Sequence, residues 1–392
     1  MPDPDQSLRP SAGGGRLVVV FGGWAVAAVG LVALAVTTAL DPGTARSAAA
    51  QVWSPFVLVT GLILVGQVAD RDGLFAAAGH RLASWAPNGT VQFAGAAVMI
   101  AIVTAVLNLD TSVVFLTPVL VYAARSRGSG ETPLVIACIL LSNAGSLLLP
   151  GSNLTNLIVL GQLHLSGGQF FGRMFLPWIA SVVVTAAVIG AVEHRSLRTT
   201  IVPTPTPEPA VIGLGLLAVL TVVLMVLILR TPALPVAAVG LVAVGLRLAA
   251  GREQLERVRG VLGVPVLVAL FGIAVALGAL GRSWSGPATV LAHLNEVGTV
   301  VFAGATSVLV NNLPAASLLS ARPPPHPFAL LVGLDIGPNL FVTGSLAWFL
   351  WWRTTRATGA RVPVARAVLI GLVTAPLAMA AALGMLGVTG TH

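Results

Sequence analysis

Residues 327–351 read PFALLVGLDIGPNLFVTGSLAWFLW, an apolar run that carries one carboxylate, Asp335, and breaks at Asp335-Ile336-Gly337-Pro338-Asn339 and again at Thr343-Gly344-Ser345. An unbroken helix of this composition would cross a bilayer, because about 20 apolar residues cover roughly 30 Å of hydrocarbon. Non-helical backbone at that depth is tolerated only where it is buried in protein or lines a cavity. A carboxylate there costs at least ~2.5 kcal/mol and normally faces an interior or a water-filled path. The stretch therefore reads as a discontinuous membrane helix beside a polar site.

Of the 13 acidic residues, one other lies inside an apolar run: Asp110, in TAVLNLDTSVVFLTPVL at 104–120. A second broken span, 133–162, holds Ser142-Asn143-Ala144-Gly145-Ser146 and then Pro150-Gly151-Ser152-Asn153. Two further segments look like hairpins that enter the membrane and turn back. One turns at Asn108–Ser112, the other at Asn311-Asn312-Leu313-Pro314.

The surrounding composition agrees. Apolar residues make up 56% of the chain and charged ones 9%, and the mean hydropathy is +0.95, values of a polytopic membrane protein. The first apolar run, Arg16–Leu40, exceeds the length of a cleaved leader's core and reads as a retained helix, although Ser47–Ala50 mimics a cleavage site. All 21 basic residues are arginine, spread over loops with no aromatic-interleaved patch, which argues against nucleic acid as a partner. The absence of lysine rules out a Walker-type ATP site, and a single cysteine, Cys138, excludes an intrachain disulfide or a site of several thiolates. The histidines fall in loops, so no metal site and no cofactor is expected.

The expected fold is an all-α polytopic membrane protein of two inverted-topology repeats, each with a re-entrant helical hairpin and a broken transmembrane helix. Residues 1–16 form a cytoplasmic tail. Repeat 1 covers 17–192, with a hairpin over 91–124 and the broken helix 133–162. The hairpin's second limb, 113–124, is too short to cross. A Thr-Pro-rich cytoplasmic linker, 193–209, and a linking helix, 210–232, lead to repeat 2, 233–392, with a hairpin over 299–320 and the broken helix 327–351. Segments 73–86 and 283–297 lie along the interface. With the N-terminus inside and the hairpins not crossing, sixteen arginines fall in inside loops and five outside, as the positive-inside rule requires. That orientation places the chain in the cytoplasmic membrane.

The four broken elements supply the candidate site. Asn108, Asp110, Thr111 and Ser112 come from the first hairpin; Asn143, Ser146, Ser152, Asn153 and Asn156 from the first broken helix. Asn311 and Asn312 come from the second hairpin, and Asp335, Asn339, Thr343 and Ser345 from the second broken helix. Helix ends at such breaks leave unpaired backbone groups that bind a small polar solute without a charged pocket. Asp110 and Asp335 are the candidate proton carriers. Each residue has a structural alternative. Asp110 can N-cap the outgoing hairpin limb, Asp335 can hold backbone amides of its own break, Asn311 and Asn312 can satisfy the hairpin turn, and Asn153 with Asn156 can form an interhelical pair. Asp110 and Asn312 take matching hairpin positions, as do Ser152 and Ser345 at the breaks.

These motifs resemble the arsenite permease family, the arsenical pump membrane proteins of the ion transporter superfamily. The resemblance is carried by NAGSLLLPGSNLTNLIV at 143–159, VNNLPAASLL at 310–319, GLDIGPNLFVTGSLAWFLWW at 333–352 and VWSPFVLVTGLILVGQVADRDGLF at 52–75. One departure stands out: Leu109-Asp110 replaces the family's Asn-Asp at the first hairpin, with Asn108 one place earlier. The resemblance implies efflux of arsenite and antimonite as neutral hydroxides, driven by protons, with some members docking a soluble ATPase subunit. It also implies a transport domain of hairpins and broken helices sliding against a homodimeric scaffold, here 17–69 with 210–281. Two rival readings share the same residues: a sodium-coupled anion carrier or sodium/proton antiporter of the superfamily, and a passive channel or membrane subunit of a larger assembly.

Overall fold

The computed structural model describes residues 14–161, 163, 165–198, 213–229 and 231–388, and among them there is no strand. The expected tail up to residue 13 and the linker from 199 to 212 lie outside the described residues. The first half comprises α1 (Gly14–Leu40), α2 (Pro42–Arg71), α3 (Leu74–Trp85), α4 (Gly89–Val106), α5 (Leu109–Ser126), α6 (Glu131–Gly145), α7 (Leu154–Leu160), α8 (Gly167–Val192) and the single turn α9 (His194–Leu197). The second comprises α10 (Leu214–Ile228), α11 (Ala233–Ala249), α12 (Leu255–Leu262), α13 (Val264–Ser283), α14 (Gly286–His293), α15 (Glu296–Val310), α16 (Asn312–Leu319), α17 (Pro327–Ile336), α18 (Leu346–Ala357) and α19 (Val364–Val388). Short 3-10 turns at Pro150–Ser152 and Gly337–Leu340 follow α6 and α17.

Five helical segments, Pro42–Arg71, Gly89–Val106, Gly167–Val192, Leu255–Ser283 and Val364–Val388, are long and apolar enough to cross a membrane. Their outward faces are apolar. On α10, Leu217, Leu220, Leu224 and Ile228 share one exposed face at helical spacing, as a lipid-facing surface requires. The chain is a multi-pass membrane protein.

Two short helices sit at the centre. Every residue from Leu134 to Gly145 on α6 and from Phe328 to Ile336 on α17 is buried, the pattern of helices apolar all round and enclosed all round. At 1.5 Å per residue they reach only about 22 and 15 Å, so neither crosses the hydrocarbon alone. Around them, α2 packs along α11 and α13, α1 along α13, α8 along α19, and α15 along α17. The α2–α11 crossing is close because Gly61 and Gly240 meet there; a Cβ on Gly240 would stand 2.7 Å from the Gly61 carbonyl oxygen.

One end of the expected scaffold is tied by charge. Arg247 pairs with Asp72, which also accepts from the Gly215 amide at 2.5 Å, and Arg71 lies 3.4 Å from the buried Glu253. Asp41 caps α2; the Thr44 hydroxyl and amide both donate to it, and that hydroxyl chiefly holds its carboxyl below the usual range.

The structure corrects several boundaries. The second limb of the first hairpin is not a 12-residue stub: α5 has 18 residues and is about 27 Å long. The breaks are narrower than their small and polar residues suggest. Ser142 and Asn143 stay in the last turn of α6, and Asp335 in that of α17, so the chain leaves the α-helix only after Gly145 and Ile336. Two turns of amphipathic helix, α12, precede α13.

Candidate functional site

Each hairpin turns on an asparagine with positive φ. Asn108 (φ 151°) and Asn311 (φ 75°) are the two such non-glycine residues among those described. The Asn108 carboxamide oxygen accepts from the Asp110 and Thr111 amides at 2.8 and 3.2 Å; that of Asn311 accepts from Leu313 at 3.4 Å. The cap of α5 is therefore Asn108, and Asp110, one residue into the first turn, keeps its carboxylate out of the capping role. The matching hairpin positions are Asn108 and Asn311, rather than Asp110 and Asn312. At the breaks the matching extended N-caps are Asn153 and Ser345, rather than Ser152 and Ser345.

The tips dock on different partners. The first leans on α6: Thr104 donates to Ser112 at 2.7 Å, and Ser112 and Ser142 share a hydrogen bond of 3.1 Å. The second leans on its own broken helix. The Asn312 amide donates to the Gly344 carbonyl at 2.8 Å, Asn311 Nδ2 reaches the Thr343 carbonyl at 3.4 Å, and Thr343 donates to the Val308 carbonyl at 2.6 Å. Thr343 is exposed there, while the Asn312 side chain is buried.

Between the tips the two broken helices grip one another. Asn143 Nδ2 donates to Asn339 Oδ1 at 2.9 Å, Asn339 Nδ2 donates to the Leu140 carbonyl at 2.9 Å, and Ser345 donates to Asn143 Oδ1 at 3.2 Å. Alongside, Asn153 Nδ2 donates to Asp335 Oδ1 at 3.0 Å and to Ser146 Oγ at 3.2 Å, and the Thr155 hydroxyl donates to the same Asp335 oxygen. All these side chains are buried, and Asp335 Oδ2 is without a hydrogen-bond partner. A buried oxygen of this kind asks for a proton, a cation or a hydroxyl donor. No arginine or histidine belongs to the network.

Ser152 and Asn156 serve the loop instead. Ser152 Oγ donates to the Ser146 and Leu149 carbonyls, and Asn156 Nδ2 to the same two, at 2.8 and 3.2 Å. Asn153 and Asn156 thus bond different partners and form no pair. Asp335 likewise takes side-chain donors from the other half, not amides of its own break.

Asp110 and Thr111 stand elsewhere. They line a cavity of about 140 Å³ walled by Val59 and Ile63 of α2, Gly260–Gly263 and Leu267 at the α12–α13 junction, and Phe349 and Arg353 of α18. Asp335 is not among its walls, so the two carboxylates do not share this space. The Thr111 hydroxyl is buried there without a partner.

Three residues that bond here were not among the candidate site residues: Thr155, Ser142 and Thr104. Thr155 lay within the quoted run NLTN, yet a threonine in a helix's first turn reads as ordinary helix-start chemistry. Ser142 and Thr104 lie on helices, and only their meeting across the α4–α6 contact reveals them.

A family model described as citrate transporter (CitMHS) matches residues 17–333. Curated relatives include an arsenical pump membrane protein of Escherichia coli K12, 23% identical over 84% of this chain and 84% of the relative. One of Yersinia enterocolitica is 21% identical over 76% and 78%. Among solved structures, the YdaH transporter of Alcanivorax borkumensis, described as having an unusual topology, aligns with a TM-score of 0.51 at 15% identity, over 88% of this chain and 87% of that one.

Proposed function

The chain belongs to the citrate transporter family (CitMHS), and from that premise we propose that it is a secondary active carrier exporting arsenite, and antimonite with it, across the cytoplasmic membrane in exchange for protons. The observation that carries the reading is the Asp335 carboxylate, gripped on one oxygen by Asn153 and Thr155 and open on the other. A neutral trihydroxide brings hydroxyl donors to that free oxygen and acceptors to the neighbouring amides. Citrate brings several negative charges, and a network of one carboxylate, amides and hydroxyls with no cation repels it. The arsenical names of the curated relatives favour the same substrate.

Asp110, in its separate cavity with Arg353, is the proton carrier, and Asp335 belongs to the substrate. The grip between the broken helices makes them, with the hairpins, one moving body, while α1, α2, α10, α11 and α13 form the frame in an elevator-type cycle. The two halves are inverted repeats, and the N-terminus is cytoplasmic.

Arsenite uptake into inverted vesicles energised by a proton gradient tests this. Wild type accumulates arsenite and not citrate. Asp110→Asn loses gradient-driven uptake but keeps arsenite exchange between equal pools, whereas Asp335→Asn loses both. Citrate uptake in place of arsenite, or gradient-driven uptake unchanged in both variants, would sink the reading.

A further inference from the structure

A second cavity lies apart from the one beside Asp110. About 660 Å³ in volume, it lies at the other end of α2, between Ser47, Gln51 and Ser54, the Pro150 turn, Thr231 at the start of α11, and Arg282 near the end of α13. That is within the size range of small-molecule sites. Among the described residues no aspartate or glutamate lines it. Arg282 points its guanidinium at neutral acceptors, the Gln51 side-chain oxygen at 2.6 Å and the Gly278 carbonyl at 2.9 Å, and among the described residues it forms no ion pair. A second guanidinium, that of Arg322, donates to the Arg282 carbonyl at 2.8 Å and likewise has no described ion pair.

Arg247 is matched by Asp72 and the more exposed Arg366 and Arg71 by Glu193 and Glu253, whereas the buried Arg127 donates to the Ala86 carbonyl and does not line this cavity. A half-enclosed guanidinium without a carboxylate is costly, and its planar fork suits an oxyanion held by two parallel bonds. Gln51 is a poor substitute, because it is shared. Its amide nitrogen donates to the Ser320 and Ile158 carbonyls, at 3.1 and 3.3 Å, which fixes its oxygen toward Arg282 as one neutral acceptor.

We propose that this cavity is an oxyanion site, in which Arg282 holds a singly charged phosphate or carboxylate group with help from the Ser54 and Thr231 hydroxyls. The missing counter-charge comes from the ligand. The same chemistry is supplied by a soluble anion and by a lipid phosphodiester, and the site lies apart from the Asp335 network, so it stands whatever the carrier exports.

The test uses the purified full-length protein, stripped of lipid in detergent, with thermal unfolding as the readout. One arm titrates sodium phosphate against sodium chloride at matched ionic strength. The other adds phosphatidylglycerol against phosphatidylcholine. The wild type is expected to be stabilised saturably by phosphate, by phosphatidylglycerol or by both, and the arm that responds names the source. Arg282→Gln weakens the response at least tenfold, and Arg282→Lys weakens it less. Gln51→Glu, which supplies an internal carboxylate, abolishes the response and keeps the proposal testable should Arg282→Gln fail to fold. No response in either arm, an equal response to chloride, or an unchanged response in Gln51→Glu overturns the proposal.

Discussion

Asn108 and Asn311 share a positive φ that no other described non-glycine residue adopts, and each begins the second limb of a hairpin. Their ψ angles of 155° and 146° put both in a region that glycine favours, at a cost of about 1–3 kcal/mol each. Asparagine is kept there because its carboxamide also caps the limb. Asn311→Gly should therefore hold or raise the melting temperature, since strain falls while a glycine cap costs only a few tenths of a kcal/mol. Asn311→Ala keeps the strain, loses the cap and should cost about 1 kcal/mol. Equal melting temperatures for the two variants would show that the turn is not strained.

The Asp335 grip makes a second prediction. Thr155→Val and Asn153→Leu each remove one donor from the same oxygen, so their effects should not add. We expect each to cut arsenite transport at least tenfold, and a double-mutant cycle to give a coupling of roughly 0.5–3 kcal/mol, as for residues in one network. Strict additivity would mean that the two donors act independently.

Thr111 separates stability from transport. Its hydroxyl is buried without a partner beside Asp110. Thr111→Val removes an unsatisfied polar atom at nearly constant shape, so the melting temperature should stay level or rise. Transport should fall severalfold if the hydroxyl serves the proton or substrate path. A clear loss of stability would show that the hydroxyl has a structural partner.

Much of this arrangement was legible because polar residues are conspicuous in an apolar chain. Asp335, Asn339 and Ser345 announced themselves inside 327–351, as did Asn143, Ser146 and Asn153 inside 133–162, and the structure brings all six together. What sequence did not reveal was direction. Asn153 and Asn156 are three positions apart on one segment, yet one bonds across to Asp335 and the other back to Leu149. Nor could spacing separate Asp110 from Asp335, because the cavity that isolates Asp110 is built partly by α12 and α18, far away in the chain. Ser142 and Asp335 looked like helix breakers, but hydrogen bonds from other elements hold both side chains while they stay in the last turns of α6 and α17.

Packing of the second 3-10 turn depends on one position of α19. A Cβ on Gly371 would lie 1.9 Å from the Asn339 carbonyl oxygen, whereas Gly384 on the same helix has nothing within 4 Å. Gly371→Ala should push Asn339 away from Asn143 and Leu140, lowering both melting temperature and transport. Gly384→Ala should stabilise by up to about 1 kcal/mol, the helix-propensity gain. Thermal unfolding and vesicle uptake on the pair check this, and a harmless Gly371→Ala would mean the turn can shift.

The bonds that cross from one half of the chain to the other require no peptide bond between them. Asn143 meets Asn339, Asp72 pairs with Arg247, and Glu193 holds Arg366 at 2.5 Å. Severing the chain after Arg198 removes covalent tethering, which amounts to a change in effective concentration and leaves the contacts untouched. Two genes, each encoding one half, should then restore a working carrier when co-expressed. In that light the buried centre of the transporter is an interface between two half-proteins, and the linker is what keeps their stoichiometry equal.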